Sequence, residues 1–139
     1  AYTDLDAYPT AYQTDPRQLE YINRLSALAR AKNMPVIWTY VAYMDTADDA
    51  GVWGTRTNTP NSLQNIKVGD PRAELDPRLG IDRARDAVIN KRMASVFHET
   101  LIPSLLVWHK VDTVILTGGS TSGCVRASAV ASLSAGYRT

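Results

Sequence analysis

The sequence contains a single cysteine, only two histidines and almost no net charge. Of its 139 residues, 15 are Lys or Arg and 14 are Asp or Glu, so the formal net charge at pH 7 is +1. One cysteine cannot form an internal disulfide and cannot by itself supply a cysteine zinc site. A charge this small gives no electrostatic reason to expect binding to nucleic acid or to an anionic membrane. No apolar run approaches the roughly 18 residues that a membrane-spanning helix needs.

What the sequence does contain is typical of an ordinary globular protein. Hydrophobic residues make up 45% and charged residues 21% of the chain, whereas disorder requires fewer apolar residues and more net charge. The length fits one domain over residues 1–139. No signal peptide is visible, and we expect a cytoplasmic protein without a bound metal.

The first clear periodic pattern predicts a helix from about Arg17 to Lys32. Asp15 is a candidate N-cap followed by Pro16 at the first helical position, and Asn33 is a candidate stop signal. The apolar residues of this helix fall on one stripe at 3.6-residue spacing; they are Leu19, Ile22, Leu25, Leu28 and Ala29.

Downstream, predicted strands alternate with predicted helices. A long polar stretch, about residues 45–86, separates the first strand from the second, and a loop of that length in a compact domain is usually functional. The predicted strands are Pro35–Val41, Asp86–Lys91 and Val111–Thr117, and the predicted helices run from an N-cap at Thr100 to Trp108 and from Cys124 to Ala135, with a stop at Gly136. Alternation of this kind predicts a three-layer α/β fold with a parallel sheet.

Lys91 and Cys124 each follow a predicted strand. In parallel α/β sheets, chemistry gathers at the carboxyl ends of the strands. Cys124 also follows the turn Gly118–Gly123 and begins a helix, where free N–H groups and the helix dipole favour a thiolate and could bind an oxyanion. The alternatives are a small buried cysteine that packs a helix on the sheet, or a phosphate-binding turn, although the GxxxxGK[ST] spacing is missing.

A cation near the cysteine would favour the thiolate, and Lys91 is placed to supply it. A solvated strand-end lysine is the alternative. His98 and His109 are the two histidines that could act as a base, although solvated or capping roles suit their positions. Trp53, in the polar loop between Gly51 and Gly54, is a candidate for a pocket wall.

The segment Thr117–Arg126, TGGSTSGCVR, resembles the isochorismatase-like cysteine hydrolases, and most closely their N-carbamoylsarcosine amidohydrolase branch. The resemblance covers essentially the whole chain, and its specific part is the cysteine segment together with the upstream Lys-Arg-x-x-Ser-x-Phe pattern. The supporting segments are Ala1–Asp4, Ala29–Val41, Gly51–Trp53, Asp76–Leu79, Asn90–Thr100 and Gly136–Arg138.

This resemblance implies a doubly wound α/β hydrolase with a Cys-Lys-Asp triad and no cofactor. It makes Cys124 the nucleophile and Lys91 the triad lysine. It also implies a non-proline cis peptide bond between Gly119 and Ser120, with the N–H groups of Ser120 and Cys124 directed at the oxyanion. Thr121 and Gly123 belong to the same turn, and Arg126, which follows the nucleophile, is a candidate substrate-binding residue.

The chain departs from the family pattern at its ends. The triad aspartate should lie about four residues before Ala1, and the first, central strand of the sheet is missing with it. Asp4 and Asp6 lie past the matched position and do not take that role. We therefore expect an internal piece of a longer protein, cut at both ends.

The activity implied is cleavage of the C–N bond of a small carbamoyl or amide substrate through a covalent thioacyl intermediate, with release of ammonia. The alternatives are an isochorismatase-type hydrolase of another small substrate and a non-catalytic relative with a structural cysteine. The resemblance also implies a homo-oligomer, often a tetramer, and a small-molecule substrate as the partner. The identity of that substrate does not follow from the sequence.

We predict that the 139-residue chain on its own is poorly stable and weakly active, because the expected centre of the sheet and the triad aspartate are missing from it. Denaturant unfolding followed by circular dichroism, with a turnover assay alongside, tests this. A cooperative transition accompanied by near-native turnover from the 139 residues alone would contradict it.

Overall fold

Two parallel strands form the sheet of the described chain. The structure is a computed structural model, and it describes residues 15–139. The helices and strands in chain order are α1 (Gln18–Ala31), β1 (Ile37–Val41), α2 (Gly51–Thr55), β2 (Ala87–Lys91), α3 (Ile102–Trp108) and α4 (Arg126–Ser134). Single 3-10 turns cover Asp48–Ala50, Leu63–Asn65 and Pro71–Ala73, and a π-helical turn covers Thr121–Val125. The matched segment Ala1–Asp4 and the residue Asp6 lie outside the described residues.

The predicted α1 is confirmed, although its N-cap is Arg17 and not the predicted Asp15. The Asp15 carboxylate accepts a hydrogen bond from the Arg17 N–H at 2.8 Å, and Asn33 has the left-handed φ of 55° that ends a helix. The predicted apolar stripe is only partly covered in the described chain, since Leu28 is 63% exposed. No helix within residues 15–139 is long and apolar enough to cross a membrane.

β1 and β2 pair in register, with Ile37 opposite Ala87 and Val41 opposite Lys91. Alternate residues of a strand point to the same face, so Ile89 and Lys91 share one face of β2, and both are buried. Ile89 packs there against Ile102 and Leu106 of α3. Lys91 therefore lies on the same face of β2 as the residue that packs against α3.

The long polar stretch after β1 is a folded segment with its own small core. Ala42, Ile66 and Ala73 form a buried cluster, and Tyr40 and Leu63 pack against it. On the sheet itself, the Asn90 side chain bonds both the N–H and the C=O of Ala42, at 3.1 and 3.2 Å. This segment is thereby joined to the carboxyl edge of the sheet.

The third strand predicted over Val111–Thr117 is wrong for the described chain. That segment forms only an isolated bridge between Thr113 and Arg138, and Ile115 is 61% exposed. A strand requires a partner ladder, and within residues 15–139 no strand lies beside this segment to supply one. The predicted final helix is confirmed as α4, and Gly136 follows it with a φ of 90°.

A buried carboxylate fixes α1 to the start of β2. The Asp86 side chain is 1% exposed and accepts hydrogen bonds from Arg30 (2.8 and 2.5 Å), from the Trp38 indole N–H (2.8 Å) and from the Asp82 N–H (3.0 Å). The bonds from Arg30, which outweigh the effect of burial, lower the pKa of Asp86 to about 2.

Because this folded-state pKa lies below the unfolded value, the stability contributed by Asp86 is fully present above about pH 4 and is lost as the pH falls through about 2. We predict that Asp86→Asn lowers the free energy of unfolding at pH 7 by about 2 kcal/mol and flattens its decline between pH 4 and 2. Urea unfolding of the protein expressed from its complete coding sequence measures both effects. Asp112→Asn is the control, since Asp112 forms an exposed pair with Arg138; equal losses from both variants would contradict the prediction.

Candidate active site

The structure brings together the two residues that the sequence singles out. Lys91 ends β2, Cys124 lies in the turn before α4, and the Lys91 Nζ donates to the Cys124 Sγ at 3.2 Å. Lys91 is 5% exposed, whereas Cys124 is half-buried. A buried ammonium in contact with a thiol stabilises the thiolate, which is the nucleophilic form of cysteine.

Two backbone carbonyls complete the surroundings of the Lys91 ammonium. Its Nζ also donates to the C=O of Met93 at 3.0 Å and of Ala94 at 3.3 Å. Within residues 15–139, no carboxylate forms an ion pair with Lys91. The carbonyls orient the ammonium without neutralising it, so its positive charge is available to an anionic sulfur.

The turn before α4 exposes backbone donors beside Cys124. The Ser120 C=O accepts from the N–H groups of Gly123 (3.1 Å) and Val125 (3.2 Å), while the Ser120 N–H has no acceptor among the described residues. The peptide bond between Gly119 and Ser120 is cis. A side chain at Gly123 would bring its Cβ to 3.2 Å from the Ser120 Oγ, so a larger residue there would require this hydroxyl to move by a few tenths of an ångström.

An open depression of about 600 Å³ lies along this turn. It is lined by Ser120, Thr121, Ser122, Val125 and Arg126. The Arg126 side chain is exposed at its rim, so its predicted substrate-binding role remains a prediction. The lining of the depression includes Val125 and Arg126, the two residues that follow Cys124, but not Cys124 itself.

Trp53, predicted as a pocket wall, lies against Lys91. Its ring centroid is 5.6 Å from the Lys91 Nζ and 5.0 Å from the guanidinium carbon of Arg56, which also donates to the Trp53 C=O at 2.6 Å. Cations close to an indole ring interact favourably with it. α2 therefore lies at the same edge of the sheet as the lysine and the cysteine.

The histidines take no part in this arrangement. His98 lies beside Glu99 and is 61% exposed, and His109 is exposed just past the end of α3. Neither hydrogen-bonds to Cys124 within residues 15–139. Over the same described range, no group of three or more potential metal ligands converges.

Sequence reasoning missed Tyr43. This side chain is fully buried, and its hydroxyl donates to the Arg92 C=O at 2.6 Å. Burial, with smaller contributions from Cys124 and Asp49, raises the pKa of Tyr43 to about 12. Its position in the sequence could have indicated it, because Tyr43 lies two residues past β1 and the segments that follow parallel strands meet at one edge of the sheet.

Comparison with known proteins identifies the family. The Isochorismatase domain matches residues 7–139, and the chain belongs to this family of isochorismatase-like hydrolases. The expected fold is also confirmed: a cysteine hydrolase from Pseudomonas syringae pv. phaseolicola 1448A superimposes with a TM-score of 0.78 and 26% identity, over 86% of this chain and 55% of that one.

Two related proteins carry amidase names. The maleamate amidohydrolase of Pseudomonas putida is 37% identical over 116 residues, which is 83% of this chain and 53% of that protein. The N-carbamoylsarcosine amidase of Arthrobacter sp. is 29% identical over 122 residues, which is 84% of this chain and 44% of that protein. The chain thus spans about half the length of these relatives.

The contact between Lys91 and Cys124 predicts that the lysine controls the ionisation of the thiol. The ratio of the iodoacetamide alkylation rate at pH 7 to its plateau at high pH gives the thiolate fraction, independently of access to the sulfur. We expect Lys91→Met to lower this fraction about tenfold, since a neighbouring cation favours the thiolate. Lys32→Ala, which removes an exposed lysine just past α1, is the control. An unchanged fraction in Lys91→Met would mean that the cysteine is structural.

Proposed function

We propose that the protein is a cysteine-dependent amidohydrolase that cleaves the C–N bond of a small amide or carbamoyl substrate. The observation that carries this proposal is the 3.2 Å contact between the buried Lys91 ammonium and the Cys124 sulfur. An ammonium is costly to bury, so a lysine that only packs would not be expected in this place. A role in activating the thiol as a nucleophile explains its burial better. The amidase names of the two relatives support the choice of a C–N bond.

In the first step, the Cys124 thiolate attacks the substrate carbonyl carbon. A C–S bond forms, and the carbonyl π electrons move to the oxygen, which becomes an oxyanion. The N–H of Ser120, which has no acceptor among residues 15–139, is proposed to donate to this oxygen together with that of Cys124, and such donors contribute several kcal/mol to transition-state stabilisation. Lys91 stays protonated and holds the sulfur in place.

In the second step, the tetrahedral intermediate collapses. The C–N bond breaks, and the nitrogen takes up the proton that the thiol gave up, so that ammonia leaves. An aspartate upstream of Ala1, as the family resemblance implies, would carry this proton. Water then attacks the thioacyl carbon, the C–S bond breaks, and the acid and the free thiol are released.

Substrate contacts are proposed on two sides of the cysteine. Trp53 lies above the lysine and offers an aromatic surface, and Arg126 stands at the rim of the depression beside the Cys124 turn. An arginine in that place suits a substrate with an anionic group, because a guanidinium binds a carboxylate through two parallel hydrogen bonds. We also propose that the protein is a homo-oligomer.

We predict that Cys124→Ala lowers ammonia release by at least about a thousandfold, because a covalent route loses its nucleophile. A panel of N-carbamoyl amino acids and monoamides of dicarboxylic acids is assayed with the protein expressed from its complete coding sequence. Ser134→Ala is the control, since Ser134 is exposed at the far end of α4 and bonds only within the helix. Turnover that survives in Cys124→Ala would overturn the proposed mechanism.

A further inference from the structure

A short segment after β2 links Tyr43 to the Lys91 ammonium. The Tyr43 hydroxyl donates to the Arg92 C=O at 2.6 Å, and the next two carbonyls, of Met93 and Ala94, accept from the Lys91 Nζ at 3.0 and 3.3 Å. We propose that Tyr43 is a positioning residue for Lys91: its hydroxyl fixes the backbone of 92–94 and thereby directs the ammonium at Cys124. This inference rests on the proposed function.

Tyr43 is itself held at its backbone and at its ring. Its N–H donates to the Ile66 C=O and its C=O accepts from the Val68 N–H, both at 2.9 Å. Its ring lies so close to Gly54 that a Cβ on that residue would be 3.2 Å from the ring carbon and from the hydroxyl oxygen. Since the ring is fully buried, the hydroxyl has no alternative place and acts as a fixed donor.

The segment that receives this bond has little other support. Residues 92–94 lie outside the strands and helices, and the Arg92 C=O accepts only from Tyr43 within the described chain. A partly buried carbonyl that loses its donor is costly, so we expect the segment to move if the hydroxyl is removed. The two carbonyls that orient the ammonium would move with it.

The charges around Tyr43 keep it a donor under assay conditions. The titratable groups that face it are Cys124, Asp49 and Arg56. Burial, with smaller contributions from Cys124 and Asp49, raises the pKa of Tyr43 to about 12, and Arg56 opposes this shift. The hydroxyl is therefore protonated throughout the pH range in which a thiolate forms. Tyr43 neither gains nor loses a proton there, and its effect on Cys124 passes through geometry.

The test is a double-mutant cycle on the Cys124 thiolate fraction at pH 7, measured from alkylation rates as above. Tyr43→Phe keeps the ring and removes the hydroxyl, and we expect the fraction to fall about threefold, as the net effect of one hydrogen bond implies. In the Lys91→Met background, the same change should have no further effect. Tyr40→Phe is the matched control, since Tyr40 is a half-buried tyrosine of β1 that packs on the neighbouring cluster.

Each other outcome overturns the inference, in a distinguishable way. If Lys91→Met lowers the fraction and Tyr43→Phe does not, Tyr43 is structural and the proposed function stands. A threefold fall that persists in the Lys91→Met background shows an effect that bypasses the lysine. If Lys91→Met changes nothing, the role of the lysine and this inference both fail.

A second variant covers the case in which Tyr43→Phe does not fold. Gly54→Ala brings a methyl group to 2.8 Å from the Ala50 Cβ and to 3.2 Å from the Tyr43 ring carbon and hydroxyl oxygen. The variant therefore shifts the turn at Ala50 and crowds the Tyr43 hydroxyl without removing the donor. The same fall in thiolate fraction is expected, and again it should be absent in the Lys91→Met background. A Gly54→Ala protein with an unchanged fraction contradicts the proposed coupling.

Discussion

The burial of one ammonium group organises the site. Lys91 lies on the covered face of β2, where a charge without partners would be costly. Its three donors are satisfied by two carbonyls of the segment after the strand and by the Cys124 sulfur. The position of the ammonium therefore constrains both the turn before α4 and the backbone at 93–94, because these segments carry its three hydrogen-bond acceptors. The covered position of the lysine also reduces the competition from water for these contacts.

Parallel pairing of β1 and β2 makes this arrangement possible. It places the segments that follow the two strands side by side, so that Tyr43 from one and Arg92 from the other can meet. The Asn90 side chain extends the connection past the end of the ladder by bonding both backbone groups of Ala42. The edge of the sheet is thus fixed by backbone and side-chain hydrogen bonds together.

The features that could be predicted from the sequence are those that depend on residues close together in the chain. The helices α1, α3 and α4, the two strands and the positions of Lys91 and Cys124 follow from periodicity, capping and the order of elements. The short helix α2 was not predicted, because it lies in the stretch that the sequence indicates as a polar loop. The strand predicted over Val111–Thr117 is wrong for the described chain, because strand formation depends on a partner strand and not on β propensity alone. Tyr43 was missed because its partner is a backbone carbonyl 49 residues away. Every residue has a backbone carbonyl, so the sequence does not indicate which one accepts a hydrogen bond.

The two hydrophobic clusters lie in different parts of the chain. The cluster of α3 and β2 supports Lys91, whereas the Ala42 cluster, which includes Leu63, supports the segment with which α2 is in contact. Within α2, however, Trp53 lies against Lys91 and Gly54 lies against Tyr43, so these two positions are tied to the lysine. An exposed position such as Val52 can be exchanged while the spacing of lysine and sulfur is kept, so the surface of this helix can vary around a fixed lysine–cysteine contact.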